Sequence, residues 1–139
     1  MPNILYKASA VATGGREGRV QSSDGSLDLR LALPKELGGP GGAHPNPEIL
    51  FAAGYAACFD SALQFVARTR RIRLGTTRVE ATVCLNPNEA GGFGLSVGLA
   101  VQIPDVPREQ AQQLLEAAHK ICPYSNATRG NIPVELSLA

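Results

Sequence analysis

Two of the three cysteines in this 139-residue chain stand in settings that suit opposite halves of a thiol redox reaction. Cys58 lies about three turns into a predicted apolar helix that begins near Asn46, and Cys122 precedes a proline at the predicted end of a second helix. The thiolate is the reactive form of cysteine, and an isolated thiol with a pKa near ~8.5 is mostly protonated at neutral pH. If Cys58 is the attacking sulfur, the fold must therefore supply it with positive charge.

The helix itself cannot supply that charge, because the macrodipole acts only within the first turn and apolar neighbours raise a thiol pKa. We predict Arg16 as the cation, since the glycines on both sides of it let a turn carry it to the core. A unit charge at ~4 Å and an effective dielectric of ~20 contributes about 4 kcal/mol, which lowers a thiol pKa by roughly three units. Glu48 is the predicted counter-charge, through bidentate hydrogen bonds to the guanidinium.

Glu48 and Cys58 are ten residues apart, which places them ~15 Å apart along one straight helix. They cannot meet directly. Either Arg16 spans the gap, or antiparallel packing of two central helices brings Glu48 of one subunit to Cys58 of the other. The second arrangement predicts a twofold homodimer.

Cys122 suits the resolving role, because the negative end of a helix dipole disfavours a thiolate. In the predicted cycle the Cys58 thiolate attacks a peroxide oxygen, releases an alcohol and becomes a sulfenic acid. Cys122 condenses with it to form a disulfide, and an external dithiol restores both thiols. Cys84 is left as a bystander.

Aromatic residues near Cys58 could form an apolar wall that favours organic hydroperoxides over hydrogen peroxide, although a pocket and a core look the same in sequence. The predicted wall consists of Phe51, Tyr55, Phe59 and Phe93. Two other functions would use the same cysteines. A redox sensor would use the disulfide to change a binding surface, and an acyl-transfer enzyme would need a histidine beside Cys58, for which His119 is the spatially plausible residue.

These residues are predicted to be positioned by an α+β fold of order βββ-α-ββ-α-β, in a single domain spanning residues 1–139. Strands are predicted at residues 4–13, 19–33 with a turn at 23–25, 78–85, 93–103 and 132–138, and a second helix runs from 107 to 122.

The first helix is apolar almost all round over residues 49–66, which is typical of a buried central helix or a subunit interface. Asn46 as N-cap, Pro47 at the first position and Glu48 in the first turn mark its start. Gly54 costs about 1 kcal/mol relative to alanine inside this helix, which predicts close approach by another backbone.

Bulk composition excludes several classes of protein. A net charge of +1 and a pI near 7.7 leave no basic stripe for nucleic acid. The sequence begins without the pattern of a secretory signal, and we expect no apolar segment long enough to cross a bilayer, so the protein is predicted to be cytoplasmic. In that reducing compartment a disulfide would be transient, catalytic or sensing rather than structural.

The chain resembles the organic hydroperoxide resistance proteins, the Ohr branch of the OsmC/Ohr family, over essentially its whole length. Three segments carry the resemblance: residues 13–18 (TGGREG), 46–59 (NPEILFAAGYAACF) and 122–131 (CPYSNATRGN). Local departures at Glu17, Ile49 and Ala57 leave all four reactive-site positions intact.

The resemblance implies a thiol-dependent peroxidase acting on organic, including fatty-acid, hydroperoxides. In such an enzyme Cys58 is peroxidatic, Cys122 is resolving, and Arg16 and Glu48 activate the thiol. It further implies an intertwined homodimer with two active sites, reduced by lipoyl dithiols such as dihydrolipoamide or a lipoylated protein rather than by thioredoxin. No metal and no organic prosthetic group is expected.

Overall fold

The computed structural model describes residues 3–139, and this part of the chain forms six strands and three α-helices. The chain groups into two compact units, Met1–Leu50 and Phe51–Ala139, called here the N-terminal and C-terminal units. The predicted α+β class and the order of strands and helices are confirmed, with one additional short helix. The elements are β1 (Ala10–Thr13), β2 (Arg19–Ser22), β3 (Asp28–Arg30), α1 (Pro47–Thr69), β4 (Arg78–Pro87), β5 (Phe93–Gln102), α2 (Arg108–Ile121), α3 (Pro123–Thr128) and β6 (Val134–Leu138).

The N-terminal unit contains an antiparallel meander of β1, β2 and β3, as the sequence predicts. The first strand is shorter than predicted, since it covers only Ala10–Thr13 of residues 4–13. Residues 4–8 have no neighbouring strand within residues 3–139, and an extended segment without a hydrogen-bonded neighbour is not part of a sheet. Side chains here stay exposed, as at Leu5 and Tyr6.

The turn between β1 and β2 presents Arg16 from a short 3-10 segment, Gly15–Glu17. Gly14 has a φ of 77°, a left-handed conformation that disfavours any residue with a β-carbon. A β-carbon on Gly18 would lie 1.7 Å from the carbonyl oxygen of Thr13. The turn can therefore close around Arg16 only because glycine occupies both positions.

Helix α1 begins where the sequence predicts. The side-chain oxygen of Asn46 accepts a hydrogen bond of 2.8 Å from the backbone N–H of Ile49, which satisfies a donor that has no partner inside the helix. Pro47 occupies the first helical position, where a missing N–H carries no penalty.

By length and composition alone, α1 is apolar enough to cross a membrane, so our expectation that no segment would be long enough is wrong. One face of the helix instead belongs to the core of the C-terminal unit, and a core helix has the same composition. Its buried residues are Tyr55, Phe59, Ala62, Leu63, Val66 and Ala67.

The sheet of the C-terminal unit has the order β4-β5-β6, with β4 antiparallel and β6 parallel to β5. The predicted alternation along β4 is confirmed: Val79, Ala81 and Val83 pack against the core, whereas Cys84 on the opposite face is exposed. Helix α2 covers the same core with Ala111, Leu114, Leu115 and Ala118.

Exposure changes sharply at the end of α2. Ile121 is 43% exposed, while the next residue, Cys122, is fully buried. Cys122 leaves the helical conformation with a ψ of 123°, and Pro123 then starts α3, a helix that is absent from the predicted order of elements. A helix of six residues is too short to show a hydrophobic period, so only its proline start could have indicated it.

Candidate active site

The structure brings Cys58 and Cys122 together inside the C-terminal unit. Cys58 lies on α1 and remains partly exposed, whereas Cys122 is fully buried at the corner between α2 and α3. Both thiols are free, and they lie close enough to interact through a hydrogen bond. In this arrangement the Cys58 sulfur is accessible from outside the protein, and the buried Cys122 sulfur is accessible to Cys58.

Burial raises the pKa of the Cys58 thiol, and the charge and hydrogen bonding of Cys122 raise it further. The backbone N–H of Tyr124, in the first turn of α3, donates a hydrogen bond that lowers it, but the net direction is upward. Within residues 51–139 no cationic side chain contributes to this balance. A cation that activates Cys58 must therefore come from outside the C-terminal unit.

Arg16 and Glu48 form a bidentate pair inside the N-terminal unit. The two guanidinium nitrogens donate to the two carboxylate oxygens over 2.7 and 3.0 Å. The hydrogen bond to Glu48 raises the pKa of Arg16, with burial opposing it, so the guanidinium stays charged. The Arg16 side chain is 34% exposed and is not in the core as the sequence suggested, because it stands on a surface turn.

The four aromatic residues predicted as a substrate wall do not form one surface. Tyr55 and Phe59 are fully buried parts of the core, and Phe51 is half-buried against it. Phe93, the first residue of β5, is 73% exposed. Burial along α1 therefore places Tyr55 and Phe59 in the core, and the substrate-binding role of the four residues stays a prediction.

Tyr124 is an aromatic residue beside Tyr55 and Phe51 that was not among the residues predicted for the substrate wall. Its ring centroid lies 5.6 Å from that of Tyr55 and 6.1 Å from that of Phe51. It also explains Gly54: a β-carbon at that position would lie 2.6 Å from the Tyr124 hydroxyl oxygen. The close approach is made by a side chain and not, as predicted, by another backbone.

A chain of hydrogen bonds links α1 with α2 and α3 and was not predicted. The Ser125 hydroxyl is 2.8 Å from the Tyr55 hydroxyl and 2.8 Å from Nδ1 of His119. The Tyr55 hydroxyl is also 3.3 Å from that of Thr128, which donates to the carbonyl of Ser125 over 3.2 Å. The polar residues of the segment after Cys122 gave a hint of local bonding, but nothing in sequence indicated a partner on α1.

His119 does not have the surroundings of a thiol-activating base. Its Nδ1 is bonded to Ser125 and its ring packs against Phe59. Burial lowers the pKa of His119, and the charge of Arg129 lowers it further. This geometry disfavours the acyl-transfer alternative, which requires the imidazole to contact the attacking thiol.

Asp60 lies two residues after Cys58 on α1. Asp60 accepts a hydrogen bond from the hydroxyl of Thr77 and so has a structural partner of its own. Among residues 3–139 there is no group of three or more histidine, cysteine, aspartate or glutamate side chains placed to hold a metal ion.

The family model described as OsmC-like protein matches residues 39–137. The chain belongs to the OsmC/Ohr family. An organic hydroperoxide resistance protein of Xanthomonas axonopodis pv. citri is 51% identical over 137 residues, which cover 98% of this chain and 96% of the relative. The resemblance found in the sequence is thus confirmed.

Solved structures of the family match the whole OsmC/Ohr fold. An organic hydroperoxide resistance protein of Elizabethkingia anophelis superposes with a TM-score of 0.96 and 52% identity over 99% of each chain. A protein of Vibrio cholerae, solved with captopril bound in one of the active sites, gives a TM-score of 0.94 and 51% identity over 98% of this chain and 93% of that one. These two OsmC/Ohr structures therefore support the fold along nearly the full sequence.

The contact between Gly54 and Tyr124 can be tested by a double-mutant cycle. We expect Gly54→Ala to lower the free energy of unfolding by about 1 kcal/mol net, because the clash outweighs the gain in helix propensity. Urea unfolding measures the change. In a Tyr124→Phe background the loss should shrink, since the nearest atom is gone. Equal losses in the two backgrounds would show that the hydroxyl does not limit this position.

Proposed function

We propose that this protein is a cysteine-based peroxidase that reduces organic hydroperoxides and protects against organic peroxide stress. The apposition of a partly exposed Cys58 and a buried Cys122 is the observation that carries the proposal. Membership of the OsmC/Ohr family, whose relatives are named for organic hydroperoxide resistance, supports the substrate class. Fatty-acid hydroperoxides fall within this class.

In the first step the Cys58 thiolate attacks the terminal oxygen of the hydroperoxide. The O–O bond breaks, Cys58 becomes a sulfenic acid, and the alkoxide takes up a proton to leave as an alcohol. In the second step the Cys122 sulfur attacks the Cys58 sulfur, and the hydroxyl leaves as water with the thiol proton. The two sulfurs are then joined as a disulfide.

The reductant must restore two thiols, and the exposure of the two sulfurs decides where it attacks. Cys122 is fully buried, whereas Cys58 is partly exposed, so an external thiolate reaches the Cys58 sulfur and releases Cys122 first. A lipoyl dithiol then completes the exchange by closing its own ring disulfide. We propose dihydrolipoamide or a lipoylated protein as this reductant, with no metal and no resident prosthetic group.

The Arg16–Glu48 pair is the proposed source of the charge that ionises Cys58. Its guanidinium is half-buried, and two hydrogen bonds to Glu48 hold it in one orientation. No carboxylate other than that of Glu48 is needed to orient it. Because the C-terminal unit supplies no cation to Cys58, the pair acts either within one chain or across a dimer.

Exposed apolar surface favours a homodimer. Ile4, Leu5 and Tyr6 are 65, 99 and 79% exposed, and three adjacent apolar side chains are rarely left in water. On α1 an exposed ridge of small side chains runs through Ala53 and Ala57, four residues apart. Small side chains on such a ridge let a second helix approach closely. We therefore propose that two copies intertwine and pack their α1 helices against each other.

The position of Ala53 on α1 determines which residues of the two copies would approach each other in such a dimer. Ala53 lies midway between Glu48 and Cys58 on α1, five residues from each. An antiparallel crossing centred near Ala53 brings Glu48 of one copy towards Cys58 of the other. In this arrangement each of two active sites uses cysteines from one chain and the activating pair from its partner. The soluble dimer would act in the cytoplasm, without nucleic acid or membrane.

Turnover distinguishes a peroxidase from a sensor that is oxidised once. With cumene hydroperoxide and dihydrolipoamide, we expect Cys58→Ser to abolish oxidation, and Cys122→Ser to allow one oxidation without efficient recycling. Cys84→Ser is the matched control and should turn over as the wild type does, because Cys84 is exposed on the outer face of β4. Peroxide consumption is also measured with hydrogen peroxide in place of cumene hydroperoxide, and with thioredoxin in place of dihydrolipoamide. Each replacement should give slower turnover. Equal activity of all four proteins would overturn the proposal.

Subunit complementation tests whether Glu48 acts across the dimer. Cys58→Ser and Glu48→Gln chains are each expected to be nearly inactive alone. After they are unfolded and refolded together, a mixed dimer has one site with an intact Cys58 facing an intact Glu48 of the partner. About a quarter of all sites should then be active. If activity stays at the level of the separate variants although mixed dimers form, Glu48 serves the cysteine of its own chain.

A further inference from the structure

The chain of hydrogen bonds between His119, Ser125, Tyr55 and Thr128 has no part in the mechanism above. Tyr55 and Ser125 are completely buried and Thr128 is 2% exposed, so each hydroxyl must find its partners within the protein. Such a chain needs one proton for every link. The number of available protons shows which protonation of His119 the chain requires.

The chain has four links and its hydroxyls supply three protons. Thr128 donates its proton to the Ser125 carbonyl, so the proton between Tyr55 and Thr128 must come from Tyr55. Ser125 must then donate to Tyr55, and its oxygen is left as an acceptor towards Nδ1 of His119. All four links are made only when His119 carries a proton on Nδ1. With Nδ1 unprotonated, one link lacks a proton.

Three members of this chain lie three residues in sequence from one of the two reactive cysteines. Tyr55 lies three residues before Cys58, and Cys122 lies three residues after His119 and three before Ser125. Residues three apart on a helix share a face, so the bond from Tyr55 to Ser125 ties the Cys58 side of α1 to α3. The bond from His119 to Ser125 closes the corner between α2 and α3 around Cys122.

Cys122 depends on that corner for its direction. Its ψ of 123° is not helical, so neither α2 nor α3 alone fixes where its side chain points. Opening the corner would therefore move the resolving sulfur.

We propose that His119 is a positioning residue for disulfide formation, whose Nδ1–H holds Ser125 and thereby keeps the Cys122 sulfur aligned with the Cys58 sulfur. The role of His119 in peroxidase turnover rests on the proposed function. Its role in aligning the two sulfurs is independent of that function, because alignment governs any reaction that joins them. The first oxidation uses Cys58 alone and should not depend on His119.

The test compares His119→Leu, which removes the donor, with His119→Asn, whose amide N–H occupies the place of Nδ1–H. Both are made in a Cys84→Ser background and equilibrated with reduced and oxidised glutathione. Cys58 first forms a mixed disulfide and releases one glutathione. Cys122 then displaces the second, so two thiols and one oxidised glutathione give one protein disulfide and two reduced glutathiones.

We expect His119→Leu to lower the effective concentration of Cys122 towards Cys58 by about tenfold, and His119→Asn to restore it to nearly the wild-type value. Nitrogen-15 NMR of the wild-type His119 ring should show a protonated Nδ1 and an unprotonated Nε2. An effective concentration unchanged in His119→Leu, one lowered equally in both variants, or an unprotonated Nδ1 would each overturn the proposal.

Peroxide kinetics separate this result from the proposed function. We expect the rate of Cys58 sulfenic acid formation with cumene hydroperoxide to be the same in wild type, His119→Leu and His119→Asn, and slower disulfide formation in His119→Leu alone. A sulfenic acid step slowed as much as the disulfide step would contradict a role confined to alignment. If the wild type does not react with hydroperoxides, the peroxidase proposal fails, and the glutathione equilibrium still decides the role of His119.

Discussion

The proposed chemistry depends on keeping the Cys58 thiol ionised where its surroundings favour the neutral form. Burial on α1 raises the pKa of Cys58, and the neighbouring Cys122 raises it further. The Tyr124 N–H opposes this only in part. An apolar site favours organic substrates but disfavours the thiolate that attacks them, so a fixed cation has to compensate.

In the proposed mechanism the C-terminal unit supplies the two sulfurs, and the N-terminal unit supplies the activating ion pair. The C-terminal unit places both sulfurs together, one partly open and one fully buried. The N-terminal unit holds Arg16 against Glu48 on a turn that glycine alone can close. In the proposed cycle the two sulfurs act in sequence, because Cys58 is partly exposed and Cys122 is fully buried, so the substrate and the reductant would both reach Cys58 first. Dimerisation would explain why the small-residue ridge and the apolar N-terminal segment are exposed in a single chain.

Local rules predicted the elements that carry these residues, and tertiary contacts decided what the rules missed. The start of α1 at Asn46 and the alternation along β4 follow from capping and from a period of two, and both are present. The pairing of Arg16 with Glu48 followed from the need of a guanidinium for a counter-charge. The contacts of Tyr124 and the Tyr55–Ser125–His119 hydrogen bonds join residues of different helices. A single sequence carries no signal for such contacts. Residues 4–8 were predicted as strand from their apolar character, but a strand also needs a neighbour.

The most direct test is the thiolate titration of Cys58, followed by ultraviolet absorbance in a chain with Cys84→Ser and Cys122→Ser. The account predicts a Cys58 pKa below the ordinary value of ~8.5 with Arg16 present, and a pKa raised by roughly three units in Arg16→Ala, with Arg16→Lys in between. Since the native pKa is lowered, reactivity should persist at neutral pH and fall as the pH drops through that value. A Cys58 pKa at or above ~8.5 that does not change in Arg16→Ala would contradict the account.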